Sequence, residues 1–137
     1  MSNIRIENLS VGDWVQDKIG SIAQIIGIEN WSDGYVLNVR INGIDVGCVS
    51  ANAIEPIPLT QEILEKNGFA TRDERYYTFN ADEARVDIEK MEDGYEIATF
   101  RVLPTGGIIT KMICPISSVH QLQHALRLAG NEKEIEL

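Results

Sequence analysis

Tyr35-Val36-Leu37-Asn38-Val39-Arg40-Ile41-Asn42-Gly43-Ile44-Asp45-Val46-Gly47-Cys48 is the stretch that decides the fold class. Tyr35, Leu37, Val39 and Ile41 alternate with Val36, Asn38 and Arg40, the period of a strand with one buried face. Asn42-Gly43 then supplies two residues that tolerate positive φ, which predicts a tight two-residue hairpin turn. Ile44, Val46 and Cys48 carry the alternation onto the returning strand and put Cys48 in its buried row.

The pattern extends in both directions. Val11 to Gln16 reads as a strand after a turn, and the isoleucine-rich run Ser21 to Ile28 as a second. Lys18-Ile19-Gly20 and Asp33-Gly34 mark the reversals, and the Trp31–Gly34 loop is a tip. Four or five short strands at this spacing predict a small, strongly bent sheet or barrel. Pro56-Ile57-Pro58 closes the region, because prolines so spaced cannot occupy a central strand. The string VGDWV (11–15) and the strands after it resemble SH3-like barrels over residues 9–57. That resemblance implies an SH3-like small β-barrel as a first domain, residues 1–58.

Residues 59–137 predict an α+β subdomain. A short helix over 60–67 is signalled by Thr60 as N-cap, by Leu59 and Leu64 as a hydrophobic staple, and by Gly68 with Phe69 as a Schellman ending. Tyr76–Phe79, Ala84–Glu89, Tyr95–Val102 and Ile108–Cys114 read as a meander of strands. The apolar phase of the third shifts between Ile97 and Phe100, which predicts a bulge there. A C-terminal amphipathic helix follows over 118–129, with Ser118 and Gln121 as a capping box and Gly130 as its end. The tail predicts a last strand over 132–136. Strands followed by a helix, without βαβ alternation, give an antiparallel α+β arrangement.

His120 and His124 are the residues that most resemble a site, because residues four apart share one helix face. On the helical wheel Val119, Leu122, Ala125, Leu126 and Ala129 form the apolar arc. His120, Gln123, His124 and Arg127 lie opposite, facing solvent or a partner. A zinc protease motif needs glutamate directly after the first histidine. Gln121 stands there and cannot take up a proton. Arg127 also disfavours a nearby cation, and further ligands would have to come from Cys48 or Cys114. The seven carboxylates from Asp82 to Glu96 alternate with core residues or fall in turns, so they read as a solvated face without calcium-loop spacing. Gly106-Gly107 lacks the lysine and helix of a phosphate cradle. Ser117 and Ser118 read as caps, with no nucleophile elbow around them. Trp14, Trp31 and Tyr35 are candidate partner contacts, since aromatics at loops favour interfaces.

Composition narrows the function classes. The chain has 137 residues, 21 acidic against 12 basic, and a net charge of −9. Neither half has the basic footprint used to neutralise phosphates, so direct nucleic-acid binding is not expected. No apolar run is long enough to cross a bilayer, and the N-terminus lacks a signal-peptide pattern. Two cysteines are too few for a disulfide framework. A cytoplasmic location is the expectation.

LSVGDWV, IEPIPLTQEILEKNGF, YYTFN and VHQLQHALRLAGNEKEIEL resemble a family of small uncharacterised bacterial proteins also carried by phages and mobile elements. The resemblance spans nearly the whole chain and implies a soluble accessory protein; it carries no activity and no functional residue. The leading expectation is a non-catalytic protein-interaction module with an unidentified protein partner, no cofactor and no metal. Its contacts would use Trp14, Trp31 and Tyr35, or the helix face of His120, His124 and Arg127. Homo-oligomerisation is left open. The alternatives are a small metal-dependent enzyme using His120 and His124, and a nucleic-acid-associated factor that binds a nucleoprotein complex indirectly.

Overall fold

A computed structural model describes residues 5–31, 34–71, 73–81, 84–131 and 133–137. The expected reversal at Asp33, the acidic residues Asp82 and Glu83, and the start of the expected last strand at Glu132 lie outside the described residues. The chain divides into two compact units, Met1–Ile57 and Pro58–Leu137. Each is built on one antiparallel five-stranded sheet, and one helix of ten residues completes the α+β architecture.

In the first unit the strands are β1 (Trp14–Asp17), β2 (Ile22–Trp31), β3 (Gly34–Ile41), β4 (Ile44–Val49) and β5 (Ile54–Pro56), in the order β4-β3-β2-β1-β5. The β3–β4 hairpin turns at Asn42 (φ 53°) and Gly43 (φ 78°), as the dipeptide predicts. Val15, Ala23, Ile25, Leu37, Val39 and Ile54 point to one side and form the core with Leu9. Asp13 is fully buried at the entry to β1, where its carboxylate accepts the Ser10 N–H at 2.8 Å.

The sheet is open, so the closed barrel expected for residues 1–58 is not formed. β4 and β5 are its two margins. β5 has three residues and ends at Pro56, too short and too poor in donors to close a ladder. The β3–β4 register slips between Leu37 and Val39, because Val46 pairs with Val39 and Val49 with Leu37. The extra residue on β4 shifts the alternation at Cys48, and the row expected to be buried is itself exposed at Ile44 (66%) and Val46 (39%). Cys48 has φ 58° and is exposed, which corrects its expected burial.

The second unit holds β6 (Ala70–Thr71), β7 (Tyr76–Ala81), β8 (Ala84–Met91), β9 (Gly94–Val102) and β10 (Ile108–Ile116), a meander in the order β10-β9-β8-β7-β6. Tyr77, Ile88 and Ile97 pair across neighbouring strands to form one buried row, and Val86 pairs with the buried Thr99 in the next. Tyr95, Ile97 and Thr99 keep strict alternation, and the β8–β9 register is continuous. The bulge expected between Ile97 and Phe100 is therefore absent; the irregularity falls on β10, between Thr110 and Met112. Phe100 breaks the apolar phase because it faces away from the core, under the Arg85 guanidinium at 5.9 Å.

Helix α1 (Gln61–Lys66) follows its sequence signals closely. The Thr60 side chain accepts the Ile63 N–H at 3.3 Å. Gly68 adopts φ 84°, and the N–H groups of Gly68 and Phe69 donate to Glu65 and Leu64. Helix α2 (Val119–Leu128) begins at Ser118, but its capping box is displaced by one residue. The Gln121 side chain reaches back to the N–H of Ser117, at 2.7 Å, and the Ser118 hydroxyl makes no cap bond.

The expected last strand over 132–136 does not form among the described residues. Ile135 is buried, and Glu136 is held by the Asn67 side chain instead of by a strand. The Asn67 amide donates to Glu136 O at 2.8 Å and accepts from Glu136 N–H at 2.7 Å, the paired exchange a neighbouring strand would make. Its second amide hydrogen goes to Ile63 O at 2.8 Å.

Candidate functional site

The helix α2 surface differs from the wheel. The apolar arc is buried as expected, but His120 and Gln123 are buried too, at 6% and 8% exposure. The expectation that this face lies toward solvent is corrected for His120 and Gln123, while Arg127 is exposed as expected. The covered face is wider than the apolar arc, while Leu128 at its C-terminal end stands 78% exposed. Periodicity ranks faces by polarity and cannot register a polar side chain whose hydrogen bonds are met inside. His120 Nδ1 lies 3.2 Å from the Ser118 hydroxyl. The two imidazoles meet edge to face, with centroids 5.8 Å apart. His124 is half-buried and Arg127 is exposed.

A zinc site needs three or four ligand atoms converging at about 2.0–2.3 Å. Among the described residues, no group of three histidine, cysteine, aspartate or glutamate side chains is brought together. Cys48 belongs to the first unit's β4. Burial and the nearby Glu96 push the Cys114 thiol up, which suppresses its thiolate at neutral pH.

The three aromatics of the first unit are not one patch. Trp14 pairs with Gln24 at one end of β2, whereas Trp31 and Tyr35 sit at the other end. Asn30 pairs with Tyr35 and Trp31 with Gly34, so Trp31 and Tyr35 project to opposite faces of the β2–β3 hairpin. Each is more than half exposed, at 53% and 52%. The indole N–H of Trp31 reaches Glu29 Oε2 at 3.4 Å. Trp14 is half-buried on the face opposite the core.

The outward face of the second sheet carries a polar network that composition alone presents as a solvated acidic run. Arg85 grips Asp87 with two nitrogens at 3.0 Å, and the Thr78 hydroxyl donates to the same carboxylate at 3.1 Å. Arg75 bridges to Glu89 at 3.1 Å and stacks on Tyr76. Thr71, Asp73, Tyr76, Thr78, Asn80 and Arg85 line a groove here. Among the described lining residues the guanidinium is that of Arg85, and Asp87 holds it. A second cleft runs along the β8–β9 turn to Ser117 and Gln121. A Cβ at Gly94 in that cleft would stand 3.0 Å from Ile116 O, so the close strand approach requires glycine. In the second cleft the Ser117 hydroxyl donates to the Gln121 side-chain oxygen at 3.2 Å.

Compared with known proteins, the chain matches no family model, no curated protein and no solved structure. No helix among the described residues is long and apolar enough to cross a membrane.

Proposed function

We propose that the chain is a non-catalytic interaction protein whose first unit engages a protein partner through the end of the β2–β3 hairpin. The exposure of Trp31 and Tyr35 on opposite faces of one hairpin end carries this reading. Large aromatics supply contact area at low entropic cost and recur as the anchors of interfaces. The opposed directions fit a partner that wraps or clamps the hairpin better than one flat surface.

The test is co-purification from the native host with wild-type protein and the double variant Trp31→Ala, Tyr35→Ala. Both side chains are exposed, so the melting temperature should stay within the effect of about 0.5 kcal/mol each. The reading requires that a defined set of co-purifying chains falls at least ~10-fold, the loss expected when anchors worth more than 1 kcal/mol each are truncated. An unchanged set with both proteins equally folded defeats it.

A further inference from the structure

The groove on the outward face of the second sheet has a volume of about 560 Å3, within the roughly 300–1,000 Å3 of small-molecule sites. Its shape follows from strand register. Tyr76, Thr78 and Asn80 alternate with the buried Tyr77 and so share the outward face of β7. Ala70 of β6 pairs with Thr78, and Arg85 of β8 pairs with Asn80. Cross-strand partners share a face. Two short side chains, Ala70 and Thr78, therefore form the floor, and Tyr76, Asn80 and Arg85 rise around it.

The polar groups of the groove are fixed from outside its lining. Asp87 accepts from Arg85 through both carboxylate oxygens, each at 3.0 Å, and from the Thr78 hydroxyl at 3.1 Å. Asp73 Oδ1 accepts the N–H groups of Arg75 and Tyr76 at 3.1 and 3.2 Å. Arg75, tied to Glu89 at 3.1 Å, stacks on Tyr76 with its guanidinium 5.6 Å from the ring centroid. Each bond holds a side chain without exhausting it. The Arg85 guanidinium keeps donors beyond those that Asp87 takes, and Asp73 keeps Oδ2. The Asn80 amide makes no side-chain hydrogen bond among the described residues. Groups already held in place lose little freedom when a ligand arrives.

The same inventory selects the ligand. Among the described lining residues, a free anion would have to take Arg85 from Asp87. A free cation would find one carboxylate, whose Oδ1 already serves two N–H groups. An apolar molecule would leave Asn80 and Arg85 desolvated and unpaired, a cost that covering Ala70 and Tyr76 does not return. The match is an uncharged molecule whose hydroxyls both donate and accept, with a flat C–H face for the Tyr76 ring, which is 49% exposed. We propose that this groove binds a saccharide, with a pyranose ring stacked on Tyr76 and its hydroxyls on Asp73, Asn80 and Arg85. The site lies in the second unit and does not rest on the hairpin reading, so either can fail without the other.

The probes are cellobiose, maltose and N-acetylglucosamine, with sorbitol and inorganic phosphate as comparisons. Each is titrated against the intact, isotope-labelled chain and read by amide chemical shifts. At least one of the sugars should move the amides of Thr71, Tyr76, Thr78, Asn80 and Arg85. It should bind about 10-fold more tightly than sorbitol, which has the hydroxyls but no ring to stack. Its affinity should hold as salt is raised, because no charge is exchanged. Asn80→Ala should weaken binding about 5-fold and Tyr76→Ala about 10-fold. Both side chains are exposed, so the rest of the spectrum should stay as it is; if Tyr76→Ala disturbs the fold, Asn80→Ala still decides. Ile19→Lys in the β1–β2 turn should change nothing. The proposal is overturned if none of the sugars moves those amides at ~20 mM, where a site of millimolar Kd would be nearly filled. It is equally overturned if sorbitol or phosphate moves them as strongly, or if a folded Asn80→Ala binds the sugar as wild type does.

Discussion

Helices α1 and α2 belong to the same unit and are stabilised in opposite ways. α1 has six residues, too few to persist alone, and almost every stabilising device in it is local. Thr60 caps one end, Gly68 turns the other, and Leu59 and Leu64 are buried beside them. α2 is longer but has no side-chain cap bond from Ser118. Val119, Leu122, Ala125 and Leu126 are buried along it, with His120 and Gln123 covered as well. A short helix can therefore be held by its ends, whereas a longer one is held by its face.

That contrast sets the order of the mutational effects. Leu122→Ala, at a fully buried position of α2, should cost about 2–5 kcal/mol in chemical denaturation, from lost burial plus the cavity left behind. Asn67→Ala at the end of α1 should cost about 2–3 kcal/mol, since it strands the Glu136 N–H and C=O and frees the segment around Ile135. Faster amide exchange at Glu136 would report the same event. Thr60→Ala should cost about 1 kcal/mol, the usual effect of deleting a cap. Leu128→Lys, on the exposed end of α2, should stay within about 0.5 kcal/mol despite removing a leucine from a helix. If Thr60→Ala proved costlier than Leu122→Ala, the division between end-held and face-held helices would be wrong.

The same division explains what could be read from the residues alone. The Asn42-Gly43 turn, the Thr60 cap and the Gly68 ending are short-range chemistry, and each is present where its residues predict it. The burial of His120 was not legible, because a wheel sorts side chains by polarity and the covering of a helix face depends on the rest of the fold. Cys48 escapes its alternation for a related reason. One extra residue on β4 reverses the facing of the residues after it, and nothing in Val46-Gly47-Cys48-Val49 announces it apart from the glycine. The Asn67 contact with Glu136 left no local trace, since its partners are 69 positions apart. The open edge at β10 is the intermediate case. Its length is written in residues 108–116, but only strand order shows that no described strand pairs on its far side.

Expected function divides along the same line. The histidine pair stands out through spacing alone, and the structure turns His120 inward beside Ser118. Trp31 and Tyr35 stand out through type, and they are exposed on opposite sides of a hairpin end.

The contact between Asn67 and the 133–137 segment has a kinetic consequence. Bringing groups 69 residues apart into register carries the loop-closure entropy of a long loop, so this contact should form after the barrier to folding has been crossed. Interactions absent from the transition state act on the escape rate from the native state. Asn67→Ala should then accelerate unfolding while leaving the folding rate nearly unchanged. In the intact protein, one carboxamide works as a latch on how long the second unit stays folded rather than on how fast it gets there.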